Sequence, residues 1–540
     1  MRPEEKKKAG VFICECGGNI SDYVEVARVA SRMEKEEGVR VCRVYPFVCS
    51  EGAQEDIIRH IKEAGLEAVV IASCSPRLHQ ETFRRMVRRA GLNPYRYIQV
   101  NLREQCAWVH PHQKEAATEK AERLVRAGLS RALRSRDLFP PEVEVYPEAV
   151  VLGAGPGASA AVEALKTLGL TVRWLDDETE ILSREGRPGD YLLRIKRGEK
   201  TEEIRAGAVL VATGILPYRP QPGEFGYGEE GVITLEEYRR LMEESPSGEL
   251  RYRGRRVERV AFIYCVGSLI GENPSGECGR FCCVDTLRTG FHSLERFGIR
   301  DQFHLHLDLR AYGRYEELYR SLREKGVLFV RFPLKRVPEI RPGRRPAVRV
   351  WDTYLAEELE LEVDLVVLVC GARGRGGAIG EALKLPVDEQ GFFTEVHPKL
   401  RPVETLAPGI YLAGCASGPR TEEESVTVAL AASAKAAALF LKGKMELEAR
   451  VVEVMAERCD GCGKCVEVCP FGALRLTPEG LLVEESLCKG EGACVPVCPK
   501  KALQIAGYEH DTMEETIRRL AGEVVGGEAS EGSSAGNPDS

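Results

Sequence analysis

The 540-residue chain has no apolar run long enough to cross a bilayer comfortably: its most apolar stretch, 426–441, is interrupted by Lys435. Near the start only 11–14 is apolar before Glu15, too short for the hydrophobic part of a secretion signal. These two absences lead us to expect a cytoplasmic protein that does not itself span a membrane. Positive charge is not in excess either. Seventy-six basic residues face 83 acidic ones, mixed along the chain, for a formal net charge of -7. That balance excludes the basic footprint of a nucleic-acid binder. There is no array of short repeats, and no nucleophile–base triad or substrate pocket can be read.

Cysteine, by contrast, is abundant, at 19 residues. In a reducing compartment a high count points to metal or redox sites rather than disulfides. Eleven of the cysteines fall into three tight groups and eight are scattered.

Cys459, Cys462, Cys465 and Cys469-Pro470 make the run C-x2-C-x2-C-x3-C-P. This is bacterial ferredoxin spacing, in which three close thiolates hold one cluster and the fourth crosses to the other. Cys488, Cys494 and Cys498-Pro499 repeat the frame. The crossing rule assigns Cys459, Cys462, Cys465 and Cys498 to the first cluster, and Cys488, Cys494 and Cys469 to the second. Glu491 stands where the missing thiolate of the second run belongs. A carboxylate is the harder ligand. A 3Fe–4S cluster, a 4Fe–4S cluster with Glu491 or water on one iron, and a labile site all stay open. Zinc also binds paired cysteines, but the doubled grammar argues against it.

The third group, Cys265, Cys278, Cys282 and Cys283, reads C-x12-C-x3-C-C after an apolar strand. Adjacent cysteines do not readily pair, so a further 4Fe–4S site at a strand end competes with inert buried thiols. The turn after this strand lacks a G-x-G-x-x-G/A motif, which argues against NAD(P)H binding there. A true glycine fingerprint lies earlier, at Gly153, Gly155 and Ala158, between a strand and a helix. Glycine lets the backbone approach a pyrophosphate at the helix N-terminus. Asp176 ends the next strand, where an acid bonds a ribose hydroxyl, and Thr213-Gly214 fits a flavoprotein loop.

Strand–helix alternation organises the rest. Strands at 11–14, 39–45, 68–72 and 97–100 alternate with helices in a doubly wound N-terminal domain, 1–140. A Rossmann-like dinucleotide domain, 141–256 and 356–446, is interrupted by a nucleotide-like insert, 257–355, carrying the third cysteine group. The strand at 363–369 is assigned to the return. An α+β ferredoxin domain, 447–510, precedes a helix and a disordered tail, 511–540. Cys14, Cys16, Cys49, Cys74 and Cys106 lie at predicted strand ends, which converge in such a sheet. A further redox site competes there with ordinary buried thiols. The second is preferred, because no short ligand run exists beyond Cys14-Glu15-Cys16. His79, His110 and His112 serve loops as readily as metals.

Together these pieces resemble the A subunit of heterodisulfide reductase over nearly the whole chain. The resemblance rests on Val11-Phe-Ile-Cys-Glu-Cys-Gly-Gly-Asn-Ile20, Ser73-Cys-Ser-Pro-Arg-Leu-His79, Asn101-Leu-Arg-Glu-Gln-Cys106 and the Cys265 group. It continues through Asp308-Leu-Arg-Ala-Tyr-Gly313, His397-Pro-Lys-Leu-Arg-Pro-Val-Glu404 and Gly409-Ile-Tyr-Leu-Ala-Gly-Cys-Ala416. It implies a thioredoxin-reductase-like fold binding FAD, with Gly153, Gly155, Asp176, Thr213, Gly214 and Gly414 as contacts. It also implies that Cys265, Cys278, Cys282 and Cys283 are cluster ligands. Partners would be other subunits of a heterodisulfide-reductase-like complex, with ferredoxin or hydrogenase-type electron donors or acceptors. Three departures stand out. The family's G-G turn beside the flavin and an often inserted ferredoxin are missing after Asp176, Arg420 replaces a lysine, and Glu491 replaces a thiolate. A flavin-free iron–sulfur relay and docking subunit is therefore the alternative to a flavin-using one. An NADPH-dependent disulfide reductase would need a second glycine fingerprint and a C-x2-C outside the ferredoxin region, and neither is found.

Overall fold

The computed structural model describes residues 7–246 and 248–521, which form two compact units. The expected disordered tail, 526–540, lies outside the described residues.

The first unit combines the N-terminal domain with the C-terminal region. Strands β1 (Ala9–Cys14), β2 (Val39–Tyr45), β3 (Ala68–Ser73) and β4 (Tyr97–Asn101) pair in parallel in the order β2-β1-β3-β4. Helices α1 (Val26–Met33), α2 (Glu51–Glu63), α3 (Pro76–Arg89) and α4 (Lys114–Arg134) cover the faces. The central strands β1 and β3 are buried along their full length, as the middle of a sheet covered on both faces must be. Gly128 lets α4 approach closely, since a Cβ there would lie 2.4 Å from Val100 Cγ2.

The ferredoxin region has little with which to hold itself together. Two antiparallel ribbons, Val452–Val454 with Leu503–Ile505 and Leu474–Thr477 with Gly480–Val483, enclose a core of six buried residues, two of them Cys465 and Cys494. A domain this small needs a metal or a neighbour for stability. It has a neighbour, because helix His510–Ala521 packs along α4. An alternating stack joins the two parts. Arg84 and Arg450 flank the Tyr95 ring at 4.7 and 5.4 Å, and Arg450 and Arg131 flank the Tyr508 ring at 5.5 and 4.1 Å. Arg136 adds ion pairs to Glu453 and Glu509. Burial, with Arg84 beside it, pushes the Arg450 pKa down, so the rings are what separate like charges. Each such contact is worth about 0.5–2 kcal/mol. Tyr508→Ala should therefore weaken docking by about 2 kcal/mol, read as an earlier unfolding step and faster proteolysis of the C-terminal region.

The second unit holds two parallel sheets. One orders its strands Ile410–Leu412, Ala208–Val211, Glu148–Leu152 and Thr171–Leu175. Helices α5 (Pro156–Thr167) and Glu422–Lys442 pack together beside it, and an antiparallel meander runs through Glu180–Arg187, Asp190–Arg197 and Lys200–Ala206. Helix Glu422–Lys442 is long and apolar enough to cross a membrane by length and composition, and in the structure a row from Ser425 through Leu439 is buried. The other sheet orders Val232–Thr234, Leu365–Cys370, Arg259–Val266, Asp301–His306 and Leu328–Arg331. It has its own meander through Glu339–Arg341, Ala347–Asp352 and Glu357–Glu362. The chain enters and leaves this second sheet through the ribbon of Ile215–Pro217 with Ala372–Gly374.

That ribbon corrects the expected insert of 257–355, which is too short at both ends. Strand Leu365–Cys370, expected in the returning part, instead lies inside the inserted sheet, between Val232–Thr234 and Arg259–Val266. A parallel strand buried on both faces reads as a plain apolar run, and nothing in it says which of two sheets it joins.

Candidate cofactor sites

The glycine fingerprint takes the form its chemistry requires. Gly153 has φ +110 and Gly155 φ +87, and Gly155 caps α5 with Pro156 in the first turn. A Cβ on Gly153 would stand 2.3 Å from the Ala212 carbonyl oxygen, and one on Gly157 2.9 Å from Gly414 Cα and from Ser425 Oγ. Nothing lies within 4 Å of a Cβ built on Gly155, so the backbone faces open space at the helix N-terminus. Beside it Thr213 is buried, and its Oγ1 has no hydrogen-bond partner among the described residues. An open cradle and an orphaned hydroxyl fit a dinucleotide, whose pyrophosphate would take the helix N-terminus. Asp176 accepts from Thr179 Oγ1 at 2.9 Å, and Asp177 pairs with Arg375. Ala158 is buried in the first turn of α5, Gly214 has φ +69 and Gly414 φ +59. Arg420 donates to the carbonyls of Gly414 and Gly418 at 3.0 and 3.1 Å, bracing that loop. Only residues 177–179 separate Asp176 from strand Glu180–Arg187, a strand that sequence reasoning missed.

The central cysteines come together at the C-terminal end of their sheet. Cys265 sits at an irregularity near the end of its strand with φ +70, and the N–H groups of Ser268, Leu269 and Ile270 all point to its carbonyl at 3.0–3.1 Å. Cys282 and Cys283 open helix Phe281–Phe297, and the Arg280 N–H donates to Cys278 Sγ at 3.4 Å. Burial pushes Cys265 up to about 12, and the charges of Cys283 and Cys278 add to that. A hydrogen bond between Cys282 and Cys283 raises Cys282 and lowers Cys283, with the Arg310 N–H and charge helping Cys283. Arg310 belongs to the Asp308–Gly313 block, which therefore reaches the cysteine group.

The dinucleotide loop and this cysteine group meet at one helix end. Ser425, beside Gly157 and Gly414, is next to Glu424, which closes a capping box with Thr421 and also accepts from Arg280 and Tyr312 at 2.6 Å. Arg280 in turn donates its N–H to Cys278. Charge at residues 422–424 complements the helix N-terminus, so the link is built on a stable element. Sequence reasoning missed this link, because Glu424 and Arg280 are 144 residues apart.

In the ferredoxin region the first run turns on Gly461 (φ +71) and Gly463 (φ +77), with Cys465 on the short helix Lys464–Glu467. Burial raises Cys465, and Cys462 and Cys459 add to it. Burial pushes Cys494 up to about 11, with Cys488, Cys469 and Cys465 adding. Cys498 Sγ accepts from the Ala502 N–H at 3.3 Å, and Cys488 Sγ from the Val452 N–H at 3.5 Å. Among the described residues no three His, Cys, Asp or Glu side chains close on a single ion. Cys469, Cys488, Cys494 and Glu491 instead line one pocket.

The N-terminal sheet gathers four of its five strand-end cysteines. Cys16 has φ +54, its N–H donates to Cys14 Sγ at 3.3 Å, and Val48 N–H reaches the same sulfur at 3.5 Å. Arg103 donates to Cys16 Sγ at 3.5 Å, from a π-helical turn, Arg103–Ala107, of the kind that recurs at functional sites. Burial pushes Cys74 up to about 12 and raises Cys49, while the Arg103 charge lowers both. Cys106 is apart from them, donating to Ala117 O at 3.0 Å, and His110 meets the Cys106 carbonyl. Arg103 thus acts on three of the four thiols, Cys16, Cys49 and Cys74, an electropositive neighbour of the kind that favours thiolate chemistry.

A dinucleotide cradle joined to a cysteine cluster, on a chain that also ends in a ferredoxin repeat, defines an electron-transfer oxidoreductase subunit. Residues 446–511 match the family model described as a 4Fe-4S dicluster domain. The chain is 32% identical to the second iron-sulfur A subunit of CoB–CoM heterodisulfide reductase from Methanopyrus kandleri, over 89% of this chain and 93% of that one. It is 30% identical to the A subunit of the H2:CoB–CoM heterodisulfide,ferredoxin reductase of Methanothermobacter marburgensis, over 87% and 91%. The chain belongs to the family of heterodisulfide reductase A subunits. The first alignment spans 609 positions, so that relative carries residues this chain lacks. A solved thioredoxin reductase from T. acidophilum covers 55% of this chain at 14% identity and a TM-score of 0.36, too distant to weigh in the assignment.

Proposed function

We propose that the chain binds FAD on the Gly153–Ala158 turn and passes its electrons through a cluster on Cys265, Cys278, Cys282 and Cys283 to the ferredoxin clusters. Ligands there would be Cys459, Cys462, Cys465 and Cys498 for one cluster, and Cys469, Cys488 and Cys494 for the other. The shared helix end at Glu424-Ser425, touching both the glycine loop and the Arg280 loop, carries this reading. Bound flavin would supply the exchange between two-electron and one-electron steps. Gly155 and Thr213 would hold the dinucleotide, Asp176 its ribose, and Arg280 would fix the cysteine loop. The terminal substrate would bind a partner. The relatives' names speak of CoB–CoM heterodisulfide and ferredoxin, so we infer partner subunits of that kind of complex, in the cytoplasm, exchanging electrons with ferredoxin or hydrogenase-type proteins.

One observation favours a flavin-free relay instead. Strand Glu180–Arg187 begins after only three residues beyond Asp176, where the resemblance implies a longer stretch with a G-G turn. Flavin and iron per chain, on anaerobically purified full-length protein, separate the two. We expect about one FAD and roughly eleven or twelve irons, the content of three clusters. Iron at that level without flavin, even after reconstitution with FAD, would leave the relay alone standing.

A further inference from the structure

The two cysteine runs of the ferredoxin region share a backbone, not only a spacing. In the first, Cys462 is exposed between Gly461 at φ +71 and Gly463 at φ +77. In the second, Glu491 is exposed between Gly490 at φ +64 and Gly492 at φ +85. Each is three residues from the cysteine on either side: Cys459 and Cys465 in the first run, Cys488 and Cys494 in the second. The second loop is also pinned, since a Cβ on Gly490 would lie 2.2 Å from the Arg450 carbonyl oxygen. Only glycine permits that approach at that φ. Glu491 therefore holds the place of Cys462 by construction, and its exposure matches that of the thiolate it replaces. It also lines the cavity that Cys469, Cys488 and Cys494 line, and it is the one carboxylate there.

We propose that Glu491 is the fourth ligand of the second cluster, binding one iron through a carboxylate oxygen and making that corner exchangeable. This rests on the ferredoxin ligand sets given above. An oxygen donor holds iron less firmly than a thiolate, and an exposed corner admits solvent and ions. The other corners carry cysteine, so loss is confined to one iron. With ferricyanide as one-electron oxidant, a 4Fe–4S cluster of charge 2+ releases one Fe2+ and one electron and becomes a 3Fe–4S cluster of charge 1+. The carboxylate parts from the iron, and ferricyanide is reduced to ferrocyanide.

The test uses the full-length, anaerobically prepared protein as wild type, Glu491→Cys and Glu491→Ala, with iron release and electron paramagnetic resonance read before and after ferricyanide. Wild type is expected to release about one iron per chain and gain one three-iron signal, which excess Fe2+ and reductant erase. Glu491→Cys should resist the same treatment. Glu491→Ala should carry the three-iron signal from the start, with about one iron fewer than Glu491→Cys. Identical behaviour of all three proteins would overturn the assignment of Glu491. Failure of the ligand sets themselves looks different. In that case Cys488→Ser would leave iron content and spectra unchanged, and the proposal would fall with them.

Discussion

Cys282→Ser should lower the iron content from about twelve to about eight per chain and leave the flavin content unchanged. Cys282 is 2% exposed in the first turn of its helix, and its bond to Cys283 is what holds Cys283 toward the thiolate form. Serine keeps the shape and the helix but does not ionise, so the site loses one anionic donor and the help it gives another. The glycine cradle lies on a different sheet, and the Arg280–Glu424 contact that links the two sites is untouched by the substitution, so flavin binding should persist. Reduction of the flavin should continue while the ferredoxin clusters stay oxidised on the timescale of the wild type. A Cys42→Ser control should change none of this. Burial pushes Cys42 up to about 12, with the Glu34 charge adding and Arg43 opposing, and no other cysteine acts on it. If Cys282→Ser keeps all its iron and its clusters reduce at the wild-type rate, the central ligand set is wrong and the electron path with it.

What could be read in advance follows from how local each signal is. The ferredoxin run is legible because its cysteines are a few residues apart and the glycines between them set the turns, and residues 446–511 match the dicluster family. The dinucleotide loop is legible because strand, glycines and helix follow one another within 20 residues of Glu148. The N-terminal thiols are a different case. The Cys14-Glu15-Cys16 pair, Cys49 and Cys74 are each separated by a helix and a strand, and only the parallel sheet brings their ends together. Arg103, which touches the group, carries no signal of its own in the sequence. The same limit hid the end of the insert. Strand Leu365–Cys370 is apolar on both faces wherever it goes, so its neighbours had to come from the pairing, not from its composition. Glu424 belongs with these, since its place in a capping box hid its second role at Arg280.

The cradle itself offers the other large effect, through two glycines that differ in what surrounds them. Both Gly153 and Gly155 hold positive φ, so alanine at either is strained by about 1–3 kcal/mol. At Gly153 the added methyl also meets the Ala212 carbonyl oxygen at 2.3 Å and the Thr213 Cα at 2.8 Å, where backbone, not a flexible side chain, stands in the way. Gly153→Ala should therefore destabilise the flavin-free protein beyond the cost of φ and pull strands Glu148–Leu152 and Ala208–Val211 apart at their ends. At Gly155 nothing is within 4 Å, and the methyl would project into the space proposed for the pyrophosphate. Gly155→Ala should leave the flavin-free protein within about 1–3 kcal/mol of wild type yet lose most of its affinity for FAD. Thermal unfolding with and without added FAD reads both effects at once. Wild type should gain stability with FAD, as any ligand selective for the folded state requires. Gly155→Ala should start nearly as stable and gain little, while Gly153→Ala should start much lower. Equal gains in wild type and Gly155→Ala would mean that the phosphates do not lie on this turn. No gain in wild type would favour the iron–sulfur relay, in which the open cradle is what remains of the turn.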